Sequence, residues 1–244
     1  MRSTPAADAL AGVLLVDKPA GPTSHDVVDH IRRRFRIRKV GHGGTLDPQA
    51  TGLLIILIGR ATRLSGQFIS SDKTYEGTIL FGVTTNSYDL DGAILRQADA
   101  SGLTPESVEA GMTKFRGDIF QAPPMVSAVK IKGVPLYKLA RKGQEVPREP
   151  RLIHVYEFRL RTFAPPRATF ILRCTKGTYV RSVCHELGQM LGCGACLEQL
   201  TRTQCGGYTL PAALPLDKIM TMDETQLAQV LIPIHEPVKA PSAP

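Results

Sequence analysis

The apolar positions along the chain change period in a way that assigns most of its elements. "GVLLVDKPAGPTS" opens on a continuous apolar run, Val13 to Val16, and is then punctuated by Pro19, Gly21 and Pro22. That pattern predicts a short buried strand followed by a turn. Ser24 stands where a helix N-cap belongs. From His25 to Phe35, Val27, Val28, Ile31 and Phe35 recur at helical spacing and predict an amphipathic helix. "LLIILI", Leu53 to Ile58, lacks any alternation and reads as a strand covered on both faces. Ala61 to Ile69 predicts a short helix. Lys73 to Phe81 alternates, with Tyr75, Gly77, Ile79 and Phe81 on one face, and predicts another strand.

The second half continues in the same style. "TTNSYDLDG" is rich in turn formers and reads as a loop. Thr104 as cap, Pro105 at the first helical position and Gly117 as terminator bracket a helix. Leu152 to Leu160 and Thr169 to Cys174 predict strands. "KGTYVRSVCHELGQMLG" predicts a Gly turn and a helix with Val180, Val183, Leu187 and Met190 inward. Thr221 and Glu224 have capping-box spacing for a last helix. Strands outnumber what a βαβ repeat would supply. The expected class is therefore α/β (α+β), a central mixed β-sheet flanked by helices. One folded domain is expected over residues 11–232, after a flexible 1–10 and before a disordered tail, 233–244, that carries Pro233, Pro237, Pro241 and Pro244.

Charge changes the picture. The formal balance is +8 and the pI about 9.4, which points to a polyanionic partner. Arg32, Arg33, Arg34, Arg36, Arg38 and Lys39 crowd the exit of the first helix with no acid among them. Like charges so placed repel unless an anion is present, so phosphate contact is slightly favoured over a merely solvated face. A second basic stretch, residues 122–151, is long and Pro-rich. Between Lys130 and Arg151 it holds seven Lys or Arg against two Glu, a local balance of +5. A long insertion of this kind in a compact domain is a functional candidate. The longest apolar run is too short for a membrane span, and the N-terminus lacks a secretory h-region. Five cysteines without a disulfide-like framework suit a reducing cytoplasm.

The candidate chemistry centres on "VGHGGTLDPQATG". Asp47 lies between a Gly-rich turn and the apolar strand, the setting of an acid presented by a rigid core. The competing reading is a turn acid bonding local amides before Pro48, and spacing alone weighs the two evenly. The turn lacks the Gly-Lys-Ser/Thr of a P-loop and precedes a strand, where a dinucleotide loop precedes a helix. Cys193 and Cys196 form one C-x-x-C without a second pair at finger spacing, so buried thiols are the better account than zinc. There is no G-x-S-x-G elbow.

"LLVDKPAGPTS", "GHGGTLDPQATGLL", "SDKTYEG", "KGTYVRS" and "LGCGACLEQLTRT" occur in an order and spacing that resemble the TruB family, tRNA pseudouridine synthases acting at uridine 55 of the T-loop. The resemblance spans Gly12 to Leu231. It implies the pseudouridine synthase fold, with 122–151 as the family's RNA-clamping thumb. It implies Asp47 as the catalytic aspartate, attacking the flipped-out target at C6 of the base or at the sugar. Tyr75 is implied as the residue stacked on that base, and Arg181 as the partner of the aspartate. His42, Tyr179 and Leu200 are implied as substrate-binding residues. RNA contacts are expected at Lys18, Arg32, Arg33, Lys130, Lys132, Arg141 and Lys142. The isomerisation conserves atoms and charge, so no metal or other cofactor is expected. The implied partner is the T-arm of tRNA, with no membrane and no obligate protein partner, for a cytoplasmic monomer. Two departures stand out. Asn86 replaces the usual Asp of a T-D-T stretch, and a Pro-rich tail follows where many relatives continue into a PUA domain. The alternatives are an RNA-binding or tRNA-folding chaperone module, disfavoured by the intact Asp47, Tyr75 and Arg181, and a synthase acting on another RNA.

Overall fold

The computed structural model describes residues 10–127, 130–131, 133–136, 139, 143–144 and 146–234. The expected flexible residues 1–9, the tail from 235 onward, and Lys132, Arg141 and Lys142 lie outside the described residues. In chain order the elements begin β1 (Gly12–Lys18), α1 (Ser24–Arg34), β2 (Val40–His42), β3 (Thr51–Ile58), α2 (Ser65–Ser70) and β4 (Lys73–Phe81). They continue β5 (Val83–Thr85), β6 (Ile94–Gln97), α3 (Pro105–Thr113), β7 (Gly117–Gln121), β8 (Lys130–Ile131) and β9 (Val134–Pro135). The last are β10 (Arg151–Ala164), β11 (Arg167–Cys174), α4 (Val180–Met190), β12 (Ala195–Cys205), β13 (Tyr208–Thr209), β14 (Leu214–Pro215), α5 (Leu216–Thr221) and α6 (Glu224–Val230). The class is α+β with a mixed sheet. Two compact units divide the chain, residues up to Tyr75 with those from Leu200 onward, and Glu76–Gln199.

In the first unit, β3 is the central strand. It pairs antiparallel with β1 along its whole length and with β2, and parallel with β12 through Thr51–Thr201 and Gly52–Arg202. Flanked on both edges and covered on both faces, Leu53 to Ile58 are each fully buried, which is why the run needs no polar alternation. Val13, Leu15, Leu53, Ile55, Leu57, Phe68 and Cys205 form its core. Helix α1 buries Val27, Val28 and Ile31 as the periodicity requires. Its cap is Thr23, one residue before the expected Ser24, in a reciprocal capping box with Asp26. The run expected as one helix from Ala61 is a 3-10 segment, Gly59–Leu64, passing into α2.

The second unit is built on antiparallel pairs, β7 to β10 and β10 to β11. Its inward face carries Phe158 and Phe170, edge-to-face at 5.5 Å, with Phe115, just after α3, against Phe158 at 6.2 Å. Thr104 caps α3 as expected, but the helix ends at Thr113, and Gly117, at φ +92, opens β7. In α4, Val180, Val183 and Leu187 are buried, whereas Met190, expected inward, is 48% exposed in the last turn. The last helix is capped by Asp223 with Gln226, and Thr221 instead ends α5. All five cysteines are buried free thiols.

Gly52 makes the β3–β12 pairing possible. Its φ is +94, and an added Cβ would stand 2.5 Å from the carbonyl oxygen of Arg202. Gly52→Ala should therefore lower stability by about 2–5 kcal/mol, combining left-handed strain with a backbone clash that cannot relax, read from the urea unfolding midpoint.

Candidate active site

The loop between β2 and β3 turns five successive carbonyls toward fixed donors. Arg202 donates from Nη2 to Gly44 O and from Nη1 to Thr45 O, each at 3.2 Å, and from Nε to Leu53 O at 2.7 Å. Ser24 Oγ accepts from Leu46 N at 2.8 Å and donates to Leu46 O at 3.1 Å. Ala50 N donates to Asp47 O at 3.1 Å, closing a turn around the acid. Pro48 O accepts from Lys18 Nζ and from Gly21 N, both at 2.9 Å. Gly43 completes the frame: its amide donates to Ile55 O at 2.8 Å, and a Cβ there would meet Phe68 Cβ at 2.5 Å. The half-buried Asp47 thus rides on a main chain pinned on both sides.

Two of these donors are buried cations. Lys18 and Arg202 have relative exposures of 0% and 1%. Lys18 Nζ also donates to Pro19 O and Pro22 O, both at 2.8 Å, so its three protons are all spent on main chain. Burial lowers its pKa to about 8, against which the Asp47 charge acts in the raising sense. His42, at the loop's entry, accepts from Gly44 N at Nδ1 (3.3 Å), which leaves Nε2 to carry the ring proton. Burial, reinforced by the Arg202 charge, holds this imidazole below its ordinary pKa and hence neutral at pH 7.

Tyr75 is 9% exposed in β4, on the buried side of the alternation. Two residues earlier, the buried Lys73 donates to Phe68 O (2.9 Å), Ile69 O (2.8 Å) and Ser71 O (2.6 Å), tying the end of α2 to the start of that strand. Leu200 is half-buried in β12, where Thr51 and Thr201 hydroxyls bond at 2.8 Å beside it.

The other expected residues belong to the second unit. Arg181, 5% exposed in the first turn of α4, donates from Nη1 to Ser87 O at 3.1 Å and from Nη2 to Val126 O at 2.9 Å. Its Nε stands 3.6 Å from Asp89 Oδ2. Asp89 was not singled out from sequence; the only signal was its place in "NSYDLDG". Asn86 keeps a local role, its Oδ1 accepting from Ala93 N at 3.0 Å, a contact that an Asp would make equally. Tyr179 is gripped through its main chain by the buried Gln121, whose Oε1 accepts from Tyr179 N (2.7 Å) while Nε2 donates to Tyr179 O (3.1 Å).

The expected RNA contacts divide. Lys18 is not at the surface. Arg32 donates to Asp29 one helical turn back and to Val40 O at 3.2 Å, so the basic run does have an acid partner. Arg33 is exposed, and Lys130 is placed by its backbone in β8. A cavity of about 530 Å³ in the first unit is lined by Arg38, Lys39, Arg60 and Arg63 with no acid among its residues, and all four cations are exposed. Among the described residues, no cluster of side chains suits a metal ion, and no helix is long and apolar enough to cross a membrane.

Lys18→Met should lower stability by about 2–4 kcal/mol, because it leaves carbonyls of a buried loop without a donor. The loss is expected in the unfolding midpoint, with the affinity for RNA of the folded variant unchanged. A folded Lys18→Met protein that bound RNA weakly at full stability would restore Lys18 to the surface.

Comparison with known proteins converges on one family. Residues 32–180 match the TruB family pseudouridylate synthase N-terminal domain, and residues 181–239 match the tRNA pseudouridylate synthase B C-terminal domain. A protein of Opitutus terrae named tRNA pseudouridine synthase B is 52% identical over 227 residues, 93% of this chain and 94% of that protein. The protein of the same name from Syntrophotalea carbinolica is 43% identical over 228 residues, 93% of this chain and 74% of its own. Among solved structures, a chain from a Cbf5-Nop10-Gar1 complex superposes with a TM-score of 0.72 at 27% identity, over 91% of this chain and 60% of that one. The pinned loop around Asp47 is therefore part of a chain that belongs to the TruB family of pseudouridylate synthases.

Proposed function

We propose that the chain isomerises uridine 55 in the T-loop of tRNA to pseudouridine, with Asp47 as the covalent catalyst. The observation that carries this reading is the row of bonded carbonyls from Gly44 to Pro48, which fixes the main chain of one acid before substrate arrives. Preorganisation of this kind is what a nucleophile requires and a mere turn acid does not. The target base must leave its stack, which costs a few kcal/mol, and stacking on Tyr75 offsets that cost. Arg181 is the third catalytic residue in this reading. His42, Tyr179 and Leu200 line the path of the flipped nucleotide. Rejoining uracil through C5 returns every atom to the product, so no cofactor enters.

Exposed cations supply the RNA contacts. Arg33, the four that line the 530 Å³ cavity and the basic insertion recognise phosphates, which position a folded RNA by shape. The protein acts in the cytoplasm as a monomer, without an obligate protein partner. The surface predicts a strong salt dependence. Replacing Arg38, Arg60 and Arg63 with Ala should weaken tRNA binding and flatten the slope of log affinity against log salt by about one unit per lost phosphate contact. An unchanged slope in filter binding would remove the cavity from the interface.

Asp47→Asn is nearly isosteric and leaves the loop's main-chain bonds intact. It should abolish turnover, whereas loss of a simple turn acid would cost about 1 kcal/mol of stability and little rate. Tritium release from C5-labelled uridine in tRNA under single-turnover conditions, measured beside tRNA binding, decides it. Substantial release by the folded variant would sink the mechanism.

A further inference from the structure

One strained turn in the second unit is used twice by the same helix face. Arg181 and His185 lie one helical turn apart on α4, and both reach the segment Ser87–Asp89. Arg181 takes the residues on either side of Tyr88: the Ser87 carbonyl at 3.1 Å and the Asp89 carboxylate at 3.6 Å. His185 takes the residue between them, its ring lying 3.9 Å from that of Tyr88 with an interplanar angle of 17°.

Tyr88 has φ +67, a backbone region that a bulky side chain rarely occupies and that persists only where the surroundings enforce it. The main chain accounts for part of the enforcement. Tyr88 O accepts from Leu197 N at 2.9 Å, and Thr85 Oγ1 donates to Asp89 O at 2.6 Å. Ser87 Oγ adds bonds to the Asp89 carboxylate and, at 3.3 Å, to Asp89 O, and the ring stack ties the turn to α4. Without that turn, Ser87 O and the Asp89 carboxylate would not converge on one guanidinium. The imidazole bonds to the Ala195 backbone, and burial lowers its pKa, so His185 is neutral at neutral pH. Its other nitrogen, Nδ1, is buried without a hydrogen-bond partner among the described residues, so apart from the Ala195 bond the ring is held there by packing.

We propose that Tyr88 and His185 are positioning residues for the isomerisation: their stacked rings hold the Ser87–Asp89 turn so that it orients Arg181. The proposal rests on the reading of Arg181 as an active-site residue. A stack that merely filled space would be felt in stability. One that orients Arg181 is felt in the chemical step.

The test compares His185→Ala and Tyr88→Ala with the ring-keeping His185→Phe and Tyr88→Phe, using single-turnover isomerisation, the tRNA dissociation constant and the melting temperature. The Ala variants should slow the single-turnover rate by about tenfold or more while binding tRNA within about twofold of the parent. The Phe variants should recover most of that rate, whatever their melting temperature. Wild-type rates in the Ala variants, or Phe variants as slow as Ala, would overturn the proposal. So would a rate loss that simply followed tRNA affinity. Asp47→Asn and Arg181→Met in the same assay keep the two readings apart. If either turns over normally, the active-site assignment itself has failed. If both are inactive and His185→Ala is not slowed, only the positioning role has failed.

Discussion

The interaction on which the Asp47 loop depends is a buried cation bonded to several main-chain carbonyls at once. Consecutive carbonyls in a tight, glycine-rich turn point to the same side and have no strand neighbour to supply amides. A buried loop of that kind needs a donor with more than one proton in one place. Lys18 offers three and Arg202 five in a planar fork, and each side chain reaches carbonyls far apart in sequence. Burying a charge is costly unless it is fully bonded, so removing these partners would be worse than never having had them. The pattern recurs with Lys73, which closes the end of α2 two residues before Tyr75. In the first unit, positive charge is a construction material before it is a binding surface.

That dual use of charge explains why the net balance misleads about individual residues. Lys18 and Arg33 are equal contributors to +8, yet one is sealed under the loop and the other is in water. The run after α1 divides similarly. Arg32 is neutralised by Asp29, and Arg34 donates to Met220 O and Met222 O at the end of α5. Arg38 and Lys39 instead meet Arg60 and Arg63 around an open cavity. An exposed cluster of cations is a surface at which a polyanion lowers the energy.

Periodicity reads what burial dictates, and so the strands and helix faces were legible. "LLIILI", the α1 stripe and the Thr104–Pro105 start of α3 all express local rules. Misassigned termini share a cause: Thr23 and Ser24, or Thr221 and Asp223, are chemically equivalent as caps, and the choice depends on which hydroxyl or carboxylate has other work. Ser24 is committed to Leu46, twenty-two residues away, and so cannot cap α1. Met190 points outward because α4 ends there and its last turn has run past the core. The polar positions of β12, the half-buried Glu198 and the exposed Gln199, interrupt any apolar pattern, while its buried Arg202 imitates a surface residue, so the strand leaves no periodic signal. Asp89 and Gln121 escaped for a related reason. Each bonds the side chain or main chain of a candidate site residue, Arg181 or Tyr179, and such a contact leaves no periodic trace.

The arrangement bears on where motion resides in the proposed reaction. The Asp47 loop has its carbonyls bonded, its glycines packed against Phe68 and Arg202, and its following strand fully buried, so it has little freedom to move toward a substrate. Its reorganisation cost was met during folding. If Asp47 is the nucleophile, as proposed, a base must come to it, and the conformational work then falls on the RNA, as extrusion of one nucleotide from its stack. Phosphate contacts remote from the chemistry are then more than tethers. In the proposed reaction they supply the binding free energy that offsets base extrusion, which makes exposed cations part of turnover alongside the aspartate.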